Sequence, residues 1–334
     1  MASKTHGKVS VIAALIGNTF VTIIKVIAAV MTMSTSMFAE SVHSFADTLN
    51  QSLLLVGLTR SKKPADHVRG YGYGIERFFW SLISACGILF IGAGITVYHS
   101  ITSLLHGNHG DTSLGAISVI VLLLALIVES ITLYMAVQEL KSGKKFSQKM
   151  FEQADPVTLA VVYEDSAAVL GVIVALIAQL LAYVTGNGVF DALGGLFIGI
   201  LLGVLAMVLI TKNYQYIIGK PLDEDTQYEI TELLLADPCI EQVTDFKSVA
   251  VDVGKYRIYA TVEWNGTPLY EEIYDPGELQ EEFDYIKNDF REFTKLMFKT
   301  TDRIPRLIGT HINTVEKRIV DKYPEIAYVD IEIN

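Results

Sequence analysis

The sequence predicts an α-helical membrane protein with six transmembrane helices, followed by a small soluble α+β domain. Of its 334 residues, 51% are hydrophobic and only 19% are charged, against about 25% in soluble domains. The long apolar runs all lie before residue 213, and the composition then becomes polar and acidic. The sequence therefore divides into a transmembrane domain, 1–212, and a C-terminal domain, 213–334.

Six apolar runs are long enough to cross the hydrocarbon core, which takes about 20 helical residues. The first run does not have the pattern of a cleavable signal peptide, because it is too long and no A-x-A-like site follows. The predicted spans are 9–33, 36–58, 78–105, 113–138, 156–184 and 188–212.

The short loops between the spans predict the topology. The alternate loops, 34–35, 106–112 and 185–187, contain no Lys or Arg. Because basic residues concentrate in cytoplasmic loops, both termini are expected in the cytoplasm. The basic residues that carry this prediction are Lys4, Lys8, Arg60, Lys62, Lys63, Arg69, Arg77, Lys141, Lys144, Lys145, Lys149, Lys212 and Lys220.

The C-terminal domain shows the element order α-β-β-(extra α)-α-β, which suits a two-layer α+β domain. Its first helix, 223–237, opens on acidic residues suited to a helix N-terminus. Residues 243–253 and 255–264 alternate like two strands joined at Gly254. The remaining predicted elements are helices at 279–298 and 310–324 and a strand at 326–333.

Charge and cysteine usage exclude several functions. The net charge of -11 argues against a nucleic-acid partner, since phosphate binding needs a basic face. Cys86 and Cys239 are the only cysteines, and neither belongs to a CxxC pair. No disulfide framework is implied, and thiolate metal sites are not expected.

The second span carries a polar stripe where lipid would otherwise be expected. Its members are Glu40, His43, Asp47, Asn50 and Gln51, which fall within about 100° of arc on a helix. A charged group at mid-bilayer costs at least about 2.5–3.5 kcal/mol on insertion scales. The stripe therefore predicts a lined cavity or a helix interface.

Other spans add acids that could face this stripe. Glu164 and Asp165 lie about two turns into the fifth span, and Glu129 lies deep in the fourth. A metal ion between His43, Asp47 and Asp165 would neutralise the acids, and this ligand chemistry suits a divalent transition metal.

Structural interpretations remain open for most other polar residues in the spans. Asn18, Asn50 and Gln51 are typical of interhelical hydrogen bonds, and Glu129 either is structural or lines the pathway. Lys25 is expected to pair with a carboxylate, Asp191 to cap a helix, and Gly195, Gly199 and Gly203 to mark close helix packing. His106 and His109 fit a solvated turn better than a metal trap.

Four stretches together resemble the cation diffusion facilitator family of divalent-metal/proton antiporters. They read AESVHSFADTLNQ, KKPADHVRGYGYGIERFFW, YEDSAAVLGV and FDALGGLFIG. The resemblance implies a homodimer in a lipid bilayer, held largely through ferredoxin-like cytoplasmic domains. It also implies export or compartmentalisation of Zn²⁺ or a similar ion by proton antiport with alternating access. We expect a bacterial-type inner membrane.

The family's transport site pairs H/D-xxx-D on the second helix with H/D-xxx-D on the fifth. The first pair falls on His43 and Asp47, and the second on Val161 and Asp165. Val161 cannot ligate, so Glu164 is the expected replacement, as in the branch that resembles animal mitochondrial zinc transporters. A site poorer in histidine favours harder ions, so Mn²⁺, Fe²⁺ and Co²⁺ remain alternatives to Zn²⁺. Glu40, Asn50 and Glu129 are candidate pathway residues.

Two further metal sites of the family have weak counterparts in this chain. In the loop site Asp66 matches, but the histidine positions carry Arg69 and Tyr73, so no metal is expected there. In the C-terminal domain His311 is the one candidate, and we interpret it as structural or solvated. The segment 268–308 is longer than the family's compact domain needs, and a dimer or partner surface is its expected role.

A metal/proton antiporter is thus the leading hypothesis. A membrane-anchored metal sensor and a proton-coupled antiporter of another solute are the alternatives. An intramembrane metalloprotease is disfavoured because no HExxH occurs, and the chain is not expected to be an enzyme.

Overall fold

The computed structural model describes residues 3–107, 116–141, 156–274 and 276–334. His109, Lys144, Lys145 and Lys149 lie outside these residues, so the predictions that involve them are not addressed. The chain divides into two compact units, Met1–Ile218 and Gly219–Asn334.

The first unit is built from helices that match the predicted spans to within six residues where both are described. They are α1 (Ser3–Thr32), α2 (Thr35–Ser61), α3 (Glu76–Gly87), α4 (Gly94–His106), α5 (Ala116–Lys141), α6 (Pro156–Thr185) and α7 (Val189–Ile218). A π-helical segment, Ile88–Ala93, joins α3 to α4 without a break, so one long rod corresponds to the third predicted span.

Four helical stretches among the described residues are long and apolar enough to cross a membrane. They are Glu76–His106, Ile117–Gln138, Val161–Thr185 and Val189–Ile218. The apolar part of α1, Gly17–Thr32, is shorter. Helix α2 is absent from this set because its polar stripe lowers its hydropathy.

Helix α2 packs against α1, α3, α6 and α7. Its stripe faces inward, and Glu40, His43 and Asn50 are all buried. The apolar core around it includes Met37, Ala46 and Leu202. Burial of a polar stripe among helices avoids exposing these groups to lipid.

Two predictions about single residues of α7 hold in part: helix packing is close at Gly195 and Gly199 but not at Gly203, and Asp191 caps a helix other than its own. A Cβ on Gly199 would lie 2.8 Å from Val97 Cγ2 and one on Gly195 would lie 2.8 Å from Ser100 Oγ, both on α4, whereas one on Gly203 would lie 3.6 Å from Ala93 Cβ. The Asp191 carboxylate accepts hydrogen bonds from the Thr35 amide and the Ser36 hydroxyl. Asp191 therefore caps the N-terminus of α2, a neighbouring helix.

The second unit contains the predicted hairpin and a third strand. Its elements are α8 (Glu224–Leu235), β1 (Ile240–Asp252), β2 (Lys255–Trp264), α9 (Gly266–Ile273), α10 (Pro276–Ile286), α11 (Phe290–Lys322) and β3 (Ile326–Ile333). The sheet order is β1-β2-β3, with β1 antiparallel and β3 parallel to β2. Gly254 has φ +61° at the hairpin turn, a conformation that glycine adopts freely. Ile230, Ile258 and Ile319 lie at the centre of the core.

The helical boundaries in the insert differ from the prediction. The helix expected over 279–298 is interrupted, because Asp289 caps α11 by accepting from the amides of Arg291 and Glu292. The helix expected over 310–324 is instead the end of α11, which runs through Pro305. Cap chemistry decided the first boundary, and 3.6-residue spacing alone does not reveal it.

The boundary between the units falls at 218/219, six residues later than the composition change at 212/213. Helix α7 continues past its apolar run because its last turns keep packing inside the first unit. The Asn213 side chain donates to the Leu209 carbonyl, and Tyr216 stacks on Phe78 with ring centroids 4.3 Å apart.

Candidate functional site

His43 and Asp47 lie one turn apart on α2 and form the first part of the candidate site. His43 Nε2 lies 3.5 Å from Asp47 Oδ2. The His43 side chain is only 2% exposed, and neither ring nitrogen has a hydrogen-bond partner among the described residues. Unpartnered polar atoms in a buried position are costly, so both nitrogens are available to a ligand.

Helix α6 supplies the second part through Glu164 and Asp165. Both line a cavity of about 40 Å³, larger than the roughly 10–15 Å³ needed for a water-sized occupant. Asp47 reaches the same cavity from α2 and Glu129 reaches it from α5. The complete lining is Asn18, Val21, Ser44, Asp47, Gln51, Val128, Glu129, Thr132, Glu164, Asp165 and Ala168.

Asn50 connects α2 to α6 through Glu164. Its Nδ2 lies 2.7 Å from both carboxylate oxygens of Glu164. This contact is the interhelical hydrogen bond that the sequence allowed for Asn50, and it fixes the orientation of the Glu164 carboxylate.

Glu40 and Glu129, the other two candidate pathway residues, share one buried cation. Lys25 Nζ on α1 lies 3.0 Å from Glu40 Oε2 and 2.7 Å from Glu129 Oε1, which confirms the expected pairing of Lys25 with a carboxylate. Gly171 makes room for Glu40, because a Cβ at this position would collide with Glu40 Oε1. The sequence alone does not predict this role of Gly171, because the contact with Glu40 joins distant parts of the chain.

The predicted ligands are neighbours, but their ligand atoms do not converge on one common position. His43 does not line the cavity that Asp47, Glu164 and Asp165 share. Within the described ranges, no three of these groups bring their ligand atoms within 4.8 Å of one another. Val161 packs with Ala136 and Val162, so this position contributes no ligand.

Of the four carboxylates that line this cavity, Glu129 is paired with Lys25. Among the described residues, no Lys or Arg forms an ion pair with Asp47, Glu164 or Asp165. Buried carboxylates without a partner are unfavourable. The arrangement can therefore hold a cation, or protons that take its place.

The loop between α2 and α3 uses Asp66 for a different purpose. Asp66 accepts hydrogen bonds from the amides of Val68 and Arg69 and from the Tyr73 hydroxyl at 2.7 Å. The Tyr73 hydroxyl and the Arg69 amide hold the pKa of Asp66 below its usual value. Lys63 and Arg69 each lie 5.0 Å from the Tyr73 ring centroid. The loop is thus organised by hydrogen bonds and cation–π contacts.

Cys239 lies beside other side chains of the ligand type, although it belongs to no CxxC pair. In the second unit the ligand atoms of Asp237, Cys239 and His311 all lie within 4.8 Å of one another. A CxxC spacing was not needed, because the fold brings α11 back to the start of β1 and joins residues 72 positions apart.

Comparisons with known proteins identify the family and several relatives of this chain. Residues 11–218 match the cation efflux transmembrane domain. The chain is 35% identical, over 99% of its length, to the mouse and human proteins named proton-coupled zinc antiporter SLC30A9, mitochondrial. It is 31% identical over 89% of its length to metal tolerance protein C4 of Arabidopsis thaliana, of which the match covers 66%. The chain spans 59% of the length of the two mammalian relatives.

Proposed function

The chain belongs to the cation efflux family, and on that premise we propose that it is a secondary transporter exchanging divalent transition-metal cations for protons. Zinc is the leading substrate, because the mouse and human relatives are named proton-coupled zinc antiporters. Mn²⁺, Fe²⁺ and Co²⁺ are alternatives, since oxygen ligands outnumber nitrogen ligands at the site.

The observation that carries this proposal is the cavity where α2 and α6 direct carboxylates at each other inside the membrane unit. Asp47, Glu164 and Asp165 meet there without a Lys or Arg ion-pair partner among the described residues. A divalent cation would balance two of these negative charges. The carboxylate oxygens would in turn replace water molecules that the cation loses on entering the site.

We assign His43 and Asp47 as the ligands from α2 and Asp165 and Glu164 as those from α6. Zinc bonds of about 2.0–2.2 Å to nitrogen and oxygen give ligand–ligand edges of roughly 3.3–3.6 Å in a tetrahedron. The 3.5 Å between His43 Nε2 and Asp47 Oδ2 fits such an edge. Glu164 takes the place that Val161 cannot fill, with Asn50 as its orienting partner. Glu40 and Glu129 modulate passage through their shared bond to Lys25.

The same ligands provide proton coupling. Metal binding requires neutral histidine and ionised carboxylates, so the ion displaces protons and protons displace the ion. Histidine has a reference pKa near 6.5, which makes His43 the ligand best suited to titrate in the physiological range. Exchange therefore needs no additional proton carrier.

The finer architecture belongs to the same proposal. We take α1, α2, the α3–α4 rod, α5, α6 and α7 as six spans, with both termini in the cytoplasm. The three-stranded C-terminal unit is the ferredoxin-like domain that joins two copies as a homodimer. The basic residues of alternate loops support this orientation. A bacterial-type inner membrane stays a prediction, and the two mammalian relatives are described as mitochondrial.

Metal uptake by proteoliposomes tests the proposal. Zn²⁺, Mn²⁺, Fe²⁺, Co²⁺ and Cd²⁺ would be offered in turn to reconstituted protein and to empty vesicles. We expect protein-dependent uptake of Zn²⁺ and of a subset of the others. Uptake of none of these ions by folded protein would overturn the assignment and leave an antiporter of another solute as the alternative.

A further inference from the structure

A groove runs along the exposed side of α7 in the first unit, beside the rod formed by α3 and α4. Leu89 of the rod forms one wall, and residues of α7 from Ile200 to Lys212 form the other. Its volume is about 590 Å³, within the roughly 300–1,000 Å³ usual for ligand pockets. The groove is separate from the transport cavity, because the two share no lining residue.

The groove has the length of one membrane leaflet. Ile200, Val204, Val208 and Lys212 recur every four residues along it, so they lie on one face of α7. Twelve helical residues extend about 18 Å, and half of the hydrocarbon core is about 15 Å thick. An acyl chain that follows this row would therefore end at the lysine.

The walls of the groove are apolar and open to the surroundings. Ile200, Val204 and Met207 are each more than half exposed. They lie in Val189–Ile218, a stretch long and apolar enough to cross a membrane. Exposed apolar surface of this kind marks an interaction site, and within a bilayer acyl chains are the groups that cover it.

Gly203 keeps the groove open. Gly195 and Gly199 are explained by close packing, whereas a Cβ on Gly203 would make only an ordinary contact of 3.6 Å with Ala93 Cβ. The missing side chain at Gly203 therefore leaves space rather than permitting a close approach. Leu89, on the opposite wall, belongs to the π-helical segment Ile88–Ala93, and such segments occur frequently at functional sites.

Lys212 places a positive charge at the end of the groove. Among the described residues it is the one charged side chain that lines the groove, and it forms no ion pair with a described Asp or Glu. The neighbouring Thr211 and Asn213 side chains donate to backbone carbonyls of α7. Basic groups at this depth attract the phosphates of anionic lipids.

We propose that this groove binds one anionic diacyl phospholipid, with an acyl chain along the row from Ile200 to Val208 and the headgroup phosphate at Lys212. An anionic headgroup fits better than a zwitterionic one, because no described acid lines the groove to hold a headgroup cation. The proposal depends on the first unit lying in a bilayer. It does not depend on the transported ion or on proton coupling, so its failure is distinguishable from failure of the antiporter proposal.

Thermal unfolding of the full-length protein in detergent tests the binding. The probes are phosphatidylglycerol and phosphatidylcholine with identical acyl chains, added at equal mole fractions. A ligand that binds the folded state stabilises it. We expect phosphatidylglycerol to raise the unfolding temperature by at least about 2 °C more than phosphatidylcholine does. Equal shifts with the two lipids would overturn the proposal.

Substitutions of lysine locate the headgroup. Lys212→Gln removes the charge at an exposed position and should abolish the difference between the two lipids, whereas Lys212→Arg should keep it. Lys62→Gln is the matched control, because it makes the same change at an exposed position in the loop between α2 and α3, and it should respond like the wild type. A difference that survives in Lys212→Gln would contradict the assignment.

Gly203→Leu tests the acyl-chain part of the groove, because the leucine side chain would occupy it. We expect this variant to lose at least half of the phosphatidylglycerol effect while its oligomeric state, measured by light scattering, stays that of the wild type. Val208→Trp narrows the groove from an exposed position and gives the same test if Gly203→Leu does not fold. A changed oligomeric state together with equal responses to both lipids would assign the groove to a second copy of the chain and overturn the proposal.

Discussion

Asp47 and Asp165 line the cavity of the first unit from different helices. Each is proposed as a ligand of the transported ion. Asp47→Asn or Asp165→Asn keeps the side-chain shape but removes one negative charge and one anionic ligand. We expect each substitution to lower zinc flux at least ~10-fold, since loss of outer-shell partners alone costs about 10–100-fold in metal sites. The measurement is initial zinc uptake by proteoliposomes containing matched amounts of protein.

Asp225→Asn is the matched control, because it makes the same change at an exposed position in the C-terminal unit. It should transport like the wild type. Wild-type flux in both Asp47→Asn and Asp165→Asn would show that these carboxylates do not hold the ion.

His43 is expected to set the preference among ions. In His43→Asp an oxygen replaces a borderline-soft nitrogen, and harder ions prefer oxygen. The ratio of Mn²⁺ to Zn²⁺ uptake should rise several-fold, with zinc uptake reduced but measurable. Competition between the two ions in one vesicle preparation would measure the ratio. An unchanged ratio would place His43 outside the ligand set.

Sequence reasoning located the candidate site residues of α2 because a helical stripe of polar groups is a local pattern. It also identified Glu164 and Asp165, since two adjacent acids in an apolar run are conspicuous. It did not show that Asn50 orients Glu164, or that Gly171 makes room for Glu40. Those contacts join distant parts of the chain, and no periodicity encodes them.

At the scale of elements, the packing of α7 against α4 depends on the absence of a side chain at Gly199. A Cβ there would lie 2.8 Å from Val97 Cγ2 and 3.1 Å from the Val97 backbone nitrogen, closer than packed atoms allow. Overpacking of this kind costs roughly 1–3 kcal/mol. We expect Gly199→Ala to lower the thermal unfolding temperature of the protein in detergent.

Gly203→Ala provides the comparison on the same helix. Its Cβ would make an ordinary contact of 3.6 Å with Ala93, and alanine favours helix over glycine by about 1 kcal/mol. This variant should unfold at or above the wild-type temperature. Equal destabilisation by both substitutions would mean that α7 is not packed as described.

Elements were predicted well where one local pattern determined them. The hairpin of β1 and β2 followed from strict alternation around Gly254. The insert was predicted less well, because apolar spacing continues through 287–289 while Asp289 starts a new helix. The pairing of Cys239 with His311 was missed because it depends on the return path of α11.

At the scale of the whole molecule, the C-terminal unit has a core of its own. Ile230, Ile258 and Ile319 are fully buried within Gly219–Asn334. The insert leaves Phe290 and Phe298 exposed at 83% and 72%, and exposed apolar groups mark interaction surfaces when they cluster. We expect residues 213–334 to fold alone and form a dimer at micromolar concentration, with the mass determined by light scattering. A monomer that shows native circular dichroism would argue against dimerisation through this unit.

Proton coupling is the central claim at this scale, because the proposed ligands bind either metal or protons. Its most direct test is zinc flux into proteoliposomes under an imposed pH gradient, with the membrane potential clamped. We expect an acidic lumen to accelerate zinc entry, zinc entry to raise the lumenal pH, and Asp47→Asn to abolish both effects. Zinc flux that is the same with and without the gradient would contradict it.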